Sequence, residues 1–417
     1  MNQTPASPLN SSVLLLMPST SYRARDFLAA AAALGVGVVV GSDHRQVLAR
    51  FAHGRSVQVD LGDTARAVAQ IVAHAARTPL AAILGTDDES AVLAAAAARA
   101  LGLAHNAPEA VTAARDKYRF RCLLRDAGMP GPDFRLVELP DGPAQAAPQL
   151  RYPCVVKPRS LSASRGVIRA DDAPSFLDAC RRAAAILAGV DRLADDAHRH
   201  TLLVEDYLPG AEIAVEALLD DGRLHVLALL DKPDPMTGPF FEETLLVTPS
   251  RLPPASQRAA IATLGAAARA LGLRHGPLHA ELRVAAAQAT LLEIAPRSIG
   301  GLCSRALRFG ADASLETLIL YQALGLPVDT AAAGGASGVL MLPIPGAGRL
   351  LGVDGVAAAR QVPGVEDIVI GIAPGEALVP LPEGGRYPGF VFARAATPAG
   401  VEQALRTAQA CLVWHLE

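Results

Sequence analysis

Leu291-Leu292-Glu293-Ile294-Ala295-Pro296-Arg297, together with His279-Ala280-Glu281-Leu282-Arg283 before it, is the stretch on which the fold turns. Both segments are apolar and strand-like, and the soft run 285–289 joins them. Glu281 and Glu293 lie twelve residues apart, an even separation, and side chains alternate faces along a strand with period two. A hairpin turning about Ala287 therefore sets the two carboxylates opposite each other on one face. Like charges so placed repel, and the arrangement asks for a cation between them. Arg297, four residues after Glu293, adds a fixed positive charge at the strand exit. Two carboxylates with an arginine are a common means of holding Mg²⁺ and a transferring phosphate. Scattered charge on an exposed hairpin is the plain alternative.

The 417 residues are too many for one core, so two to four domains are expected. A composition 51% hydrophobic and 19% charged belongs to packed globular chains rather than disordered ones. The net charge of −3, from 38 basic and 41 acidic residues, argues against a nucleic-acid or anionic-membrane surface, since either needs a concentrated basic field. Five scattered cysteines without a CxxC pair read as reduced thiols of a cytoplasmic protein. Residues 1–10 carry no basic residue, and the apolar run 13–17 is too short for a signal peptide. The longest apolar run, 27–41, has 15 residues and three glycines, short of the ~20 that span a membrane.

Along the first hundred residues, apolar strands (13–17, 36–40, 57–60, 80–84) alternate with alanine-rich helices (23–34, 64–76, 89–101). That rhythm implies a parallel sheet covered by helices on both faces. The glycines of Gly35-Val-Gly37-Val-Val-Val-Gly41 follow a helix and enter a strand, which is the wrong context for a dinucleotide loop. A helix 116–127 follows, stopped by Gly128, and the Pro/Gly/Ala stretch 140–149 resembles a linker. Strands are expected at 154–157, 167–169, 202–207, 212–219 and 225–231, and helices at 173–188, 255–271, 315–324 and 398–412. The tail beyond 338 carries strands near 339–342 and 390–393. His198 and His200, in a polar stretch without a third ligand, read as a solvated face.

Val155-Val156-Lys157-Pro158 places a lysine at the end of a buried strand, and the small-residue loop Ser160 to Gly166 follows. Small residues let backbone amides and serine hydroxyls approach a phosphate, although no GxxxxGK[ST] occurs. Glu205-Asp206-Tyr207-Leu208-Pro209-Gly210 leaves the core through a Pro-Gly turn, offering a backbone edge for a purine, with Glu212 beyond it for ribose hydroxyls. The long stretch 231–248 reads as a lid, and Glu243 in it as a residue that shapes or charges a substrate site.

In order and spacing these pieces resemble the ATP-grasp superfamily over residues 10–330, and the stretch Asp116-Lys117 to Gly128-Met129-Pro130 resembles its entry helix. The resemblance implies an α/β N-terminal parallel-sheet domain (1–115). An α+β ATP-grasp fold follows, whose small lid subdomain (116–203) and core subdomain (204–335) clamp ATP. Lys117, Lys157, Ser162, Ser164, Arg165 and Gly166 would then meet phosphates. Glu205, Tyr207 and Leu208 would frame adenine, and Glu212 would face ribose. Glu281 and Glu293 would bind Mg²⁺, or Mn²⁺ in its place, and Arg297 and Lys157 would act on the transferred phosphate. The tail motifs Gly338 to Gly346, Val362-Pro-Gly and Gly389-Phe-Val-Phe-Ala-Arg394 resemble the α+β extension (336–417) of the L-amino-acid ligase branch. Arg297-Ser-Ile-Gly300-Gly301 resembles its carboxylate-receiving turn, which would place Arg297, Gly300 and Gly301 in the substrate site together with Glu243 of the stretch 231–248. The activity implied is amide formation from a carboxylate and an amine, amino acids among them, through an acyl phosphate. The resemblance includes no nucleic-acid or membrane partner and is compatible with a homodimer. Two departures stand out: Ala295 replaces an asparagine common beside the second metal glutamate, and Leu161 and Ala163 stand where glycine is common. Three alternatives remain: a purine-biosynthetic or carboxylase-type enzyme, a non-catalytic ATP-binding regulator favoured by Ala295, and a plain α/β protein.

Overall fold

A run as apolar as Val13-Leu14-Leu15-Leu16 is stable only inside a sheet covered on both faces. Strand β1 (Ser12–Leu16) occupies that place, each of its four hydrophobic side chains fully buried. The computed structural model describes residues 12–18, 21, 23–43, 56–191, 193 and 195–417; the segment 1–10 lies outside them. The chain continues through α1 (Ala24–Leu34), β2 (Gly37–Ser42), β3 (Ser56–Gln58), α2 (Thr64–Ala75), β4 (Leu80–Gly85), α3 (Asp88–Leu101) and α4 (Pro108–Arg115). The four strands form a parallel sheet in the order β3-β2-β1-β4. Helix α1 stops at Gly35, whose φ of 68° suits a residue without Cβ. Connections run to one side of β1 and then cross to the other, so the crevice beyond the carboxyl ends of β1 and β4 is a topological switch point.

The next unit holds α5 (Lys117–Asp126), β5 (Phe134–Glu138), α6 (Gly142–Ala146), β6 (Cys154–Pro158), β7 (Ile168–Ala170), α7 (Ala173–Ala188), α8 (Ala197–His200) and β8 (Thr201–Asp206). Its antiparallel sheet runs β5-β8-β6-β7. Strand β8 crosses residue 203, so the expected subdomain boundary there falls inside a strand. The expected linker 140–149 is instead α6 and a 3₁₀ turn, with Pro143, Ala146 and Ala147 buried in this subdomain. Loop-like composition misled here because a short helix can start at a proline and needs only a few buried side chains.

The remaining strands are β9 (Ala211–Asp220), β10 (Arg223–Asp231), β11 (Leu245–Thr248), β12 (Gly276–Ala285), β13 (Gln288–Ala295), β14 (Ala336–Met341), β15 (Gly348–Asp354), β16 (Val365–Ile370), β17 (Ala377–Leu378), β18 (Gly389–Ala395) and β19 (Val413–Leu416). Between them lie α9 (Pro254–Leu271), α10 (Leu315–Ala323), α11 (Val356–Ala359) and α12 (Pro398–Cys411). One sheet of order β13-β12-β9-β10-β11-β14-β18-β16 spans the core and the C-terminal region, which are therefore continuous through β11 and β14. Period two sorts its side chains. Leu278, Ala280 and Leu282 of β12 and Ile213, Val215 and Ala217 of β9 share a core with Leu264 and Ala268 of α9. The opposite face carries His279, Glu281 and Arg283 beside Glu216, Ala214 and Glu212. No described helix is long and apolar enough to cross a membrane.

His198 is not solvated: it is buried, its Nδ1 2.6 Å from Asp195 and its Nε2 3.5 Å from Asp116, whereas His200 is exposed. Asp116 caps α5, accepting from the Tyr118 and Arg119 amides. Burial lowers the pKa of His198, but the Asp116 and Asp195 carboxylates beside its ring outweigh that and raise it above the ordinary 6.5. A folded pKa raised above the unfolded one gives stability that is present below about pH 6.5 and lost as pH rises through the folded value. The stability gap between wild type and His198→Gln, followed by urea unfolding, should therefore be widest below pH 6.5 and close in mild alkali.

Candidate active site

The charged face of the core sheet needs solvent or counter-charge, and it meets both in a cleft of about 400 Å³ between the three units. The hairpin expected from sequence is present, and Glu281 pairs with Glu293. The route differs from the expected turn about Ala287. A two-residue turn, Ala286 and Ala287 at φ 46° and 65°, pairs Ala285 with Gln288 and Leu282 with Leu291. Left regular, that register would face Glu281 with Leu292. A bulge at Leu292 adds one residue and restores the glutamate pair. It also lets two consecutive side chains, Leu292 and Glu293, enter the cleft, which strict alternation forbids.

Each carboxylate is met by an ammonium. Lys232 Nζ lies 3.0 Å from Glu281 and Lys117 Nζ 3.3 Å from Glu293. Burial works to raise the Glu281 pKa, but Lys232 and His279 prevail and hold it well below the carboxylate range. Lys232 also binds Glu212 at 2.8 Å and contacts Glu243. Burial raises the pKa of Glu243, and Glu281 adds to this against the pull of Lys232. His279 joins Glu216 to Glu281: its Nδ1 contacts Glu216 and its Nε2 lies 3.7 Å from Glu281. Ala295 is buried opposite His279, so its position supplies a methyl group and no ligand. Among the described residues there is no group of three or more metal-ligating side chains.

Lys157 ends β6 as expected, but its Nζ is 2.6 Å from Glu205, which is itself gripped by Arg121 at 2.7 and 3.0 Å. Glu205 therefore supplies buried counter-charge beneath the connector rather than a free edge beside it. Burial pushes its pKa up, and Arg121 and Lys157 bring it down to about 2. Beyond it, Tyr207 stacks on Phe241, their ring centroids 6.5 Å apart, with Val155, Met236 and Val167 alongside. This flat apolar wall, with Leu208 at its margin, suits a planar base. Glu212 lines the cleft with its carboxylate held by Lys232 and by Arg283 at 2.9 Å.

Ser162 and Ser164 line the cleft, and Lys117 Nζ donates to the Leu161 carbonyl at 2.8 Å. Arg165 and Gly166 turn away from it. Arg165 Nε donates to the Glu383 carbonyl at 3.0 Å and the Gly166 amide to Pro382 at 2.8 Å, so these two fasten the loop to the C-terminal region. Gly300 and Gly301 line the cleft, and Arg297 clasps Asp88 at 2.8 and 3.0 Å. Asp88, with Arg23, Thr86 and Asp87, comes from the switch point of the parallel sheet. Sequence reasoning missed Arg121 and Asp88. The spacing of Arg121 four residues after Lys117, on one helix face, was its only local signal.

Three family descriptions match the chain in order: "ATP-grasp N-terminal domain" at residues 28–105, "ATP-grasp domain" at 150–306 and "L-amino acid ligase C-terminal domain 2" at 340–417. Carnosine synthase 1 of Gallus gallus is 37% identical over 130 residues, 31% of this chain and 14% of that protein. Alanine–anticapsin ligase of Bacillus amyloliquefaciens is 25% identical over 282 residues, 64% of this chain and 59% of that protein. The chain thus spans less than two thirds of either relative. An L-amino acid ligase structure from Bacillus licheniformis shares the fold, with TM-score 0.80, 23% identity, and coverage of 98% of this chain and 99% of that one.

Glu205→Ala would leave Arg121 and Lys157 buried without their counter-charge, a change that costs about 3–5 kcal/mol; urea unfolding should report a loss of that order. Because the folded pKa of Glu205 lies near 2 rather than 4.5, its share of wild-type stability should be intact above pH 4.5 and fall away toward pH 2.

Proposed function

The chain belongs to the ATP-grasp superfamily, and from that premise we propose that it is an ADP-forming carboxylate–amine ligase of the L-amino-acid ligase type. Its expected substrates are ATP and two small molecules, a carboxylate and an amine, amino acids among them. The observation that carries this reading is Glu281 facing Glu293 across the bulge, inside the cleft that also holds Lys117, Lys157 and the serine loop. The match of the C-terminal region to the ligase description favours this branch over the purine-biosynthetic and carboxylase types.

Two hard oxygen donors on adjacent strands, each partly exposed to the cleft and each already drawing an ammonium, fit a hard divalent cation. Glu281 and Glu293 are the residues that would hold Mg²⁺, which when bound offsets triphosphate charge. In this assignment adenine lies against Tyr207, Leu208 and Phe241, and Lys117, Lys157, Ser162 and Ser164 receive the phosphates. Glu212, held by Lys232 and Arg283, is placed at the ribose side. The carboxylate substrate attacks the γ-phosphate in line and forms an acyl phosphate, with ADP leaving. The amine then attacks the acyl carbon and releases phosphate. Arg297 exchanges its contact with Asp88 for the transferred phosphoryl group, and the amides of Gly300 and Gly301 orient the carboxylate. Glu243 charges the substrate end. The loop, fastened to Pro382 and Glu383, excludes the water that would hydrolyse the acyl phosphate.

Buried Ala295 supports one second reading, an ATP-binding protein without turnover. Two measurements separate the readings. In a screen of amino-acid pairs, the ligase should release phosphate only with a productive pair, and mass spectrometry should find the condensed product. ATP-induced thermal stabilisation without release is the signature of the second reading. In the ligase, Glu293→Gln should abolish ADP formation with every pair while the protein stays folded; full activity in that variant removes the assignment.

A further inference from the structure

Arg121 is 2% exposed, and the hydrogen-bond acceptors of its guanidinium lie on other elements. It stands one turn after Lys117 on α5, so the two side chains leave the same helix face. Lys117 takes the Glu293 carboxylate. Arg121 takes the backbone just before it: Nη1 donates to Leu291 O at 2.6 Å and Nη2 to Leu292 O at 3.3 Å. Leu292 is the bulge residue. A bulge breaks the ladder and leaves backbone groups in need of partners, and β13 is the edge strand of its sheet among the described residues. The guanidinium supplies those partners, and Glu205 fixes its plane through two further hydrogen bonds.

We propose that Arg121 is a positioning residue that pins the bulge at Leu292 and so keeps Glu293 opposite Glu281. The proposal rests on the reading of those glutamates as metal ligands. Through Glu205, the same guanidinium also ties the register of the pair to Lys157. A lysine at position 121 keeps a positive charge beside Glu205 but lacks the fork that spans two carbonyls and a carboxylate together.

The test titrates purified protein with Mn²⁺ in the presence of a non-hydrolysable ATP analogue, reading free Mn²⁺ by electron paramagnetic resonance. Loss of an outer contact that orients a ligand costs 10–100-fold in metal affinity, so Arg121→Lys should weaken Mn²⁺ binding by at least ~10-fold. Its metal-free affinity for the analogue should change less than threefold. Amide hydrogen exchange at Leu292 and Glu293 should quicken in the same variant. Should Arg121→Lys be too unstable, Arg121→Gln serves in the same titration, with the same outcome expected. Wild-type-like Mn²⁺ affinity in a folded variant overturns the proposal. An equal loss of metal and metal-free nucleotide binding also overturns it, because that marks general damage to the cleft. If wild type itself binds no Mn²⁺ with the analogue, the metal assignment falls and the proposal falls with it.

Discussion

Two carboxylates held face to face repel each other, and most of the charged contacts around the cleft answer that repulsion. At a cross-strand spacing of ~5 Å and an effective dielectric of ~20, the repulsion between Glu281 and Glu293 is about 3 kcal/mol. Lys232 and Lys117 each neutralise one of them. Lys232 in turn draws in Glu212 and Glu243, and Arg283 and His279 complete the balance. The network links α5, the core sheet and the loop 232–244, because Lys117 answers Glu293 and Lys232 answers Glu212 and Glu281 across element boundaries.

The same logic joins the remaining units. Arg297, at the exit of the hairpin, is balanced by Asp88 from the parallel sheet, and Arg23 bridges the Thr86 carbonyl to the Ser298 hydroxyl. Burial makes each of these pairs costly to break, although it does not by itself make them a source of stability. Their structural effect is to fix the hairpin exit and the parallel sheet against each other at the wall of the cleft. The cleft stands on strand ends, and the serine loop beside it is fastened to the C-terminal region through Arg165 and Gly166.

Much of the fold was legible because its signals are local. The alternation of apolar strands and alanine-rich helices over residues 12–101 has one satisfactory solution, and Gly35 stops α1 where its freedom predicts. The segment 140–149 misled because its composition suits both a linker and a short helix started by proline. His198 misled because nothing local reveals that Asp116, 82 residues earlier, lies beside it. Lys117, Lys157, Ser162, Ser164, Glu281 and Glu293, singled out by residue type and spacing, come together in one cleft. Arg165 and Gly166 bond instead to Glu383 and Pro382, more than 200 residues away, which no local signal reveals.

The sequence by itself determined which residues carry charge into apolar strands, and period two gave the expectation that Glu281 and Glu293 share a face. Only the tertiary structure decided how they come to be opposite. The turn closes one residue early, and the bulge at Leu292 corrects the register. A bulge leaves no mark in residue spacing; it is held by Arg121, which reaches it from 170 residues away in the chain. Electrostatic satisfaction of a buried strand edge is a property of what packs against it, and that is settled only when the chain has folded.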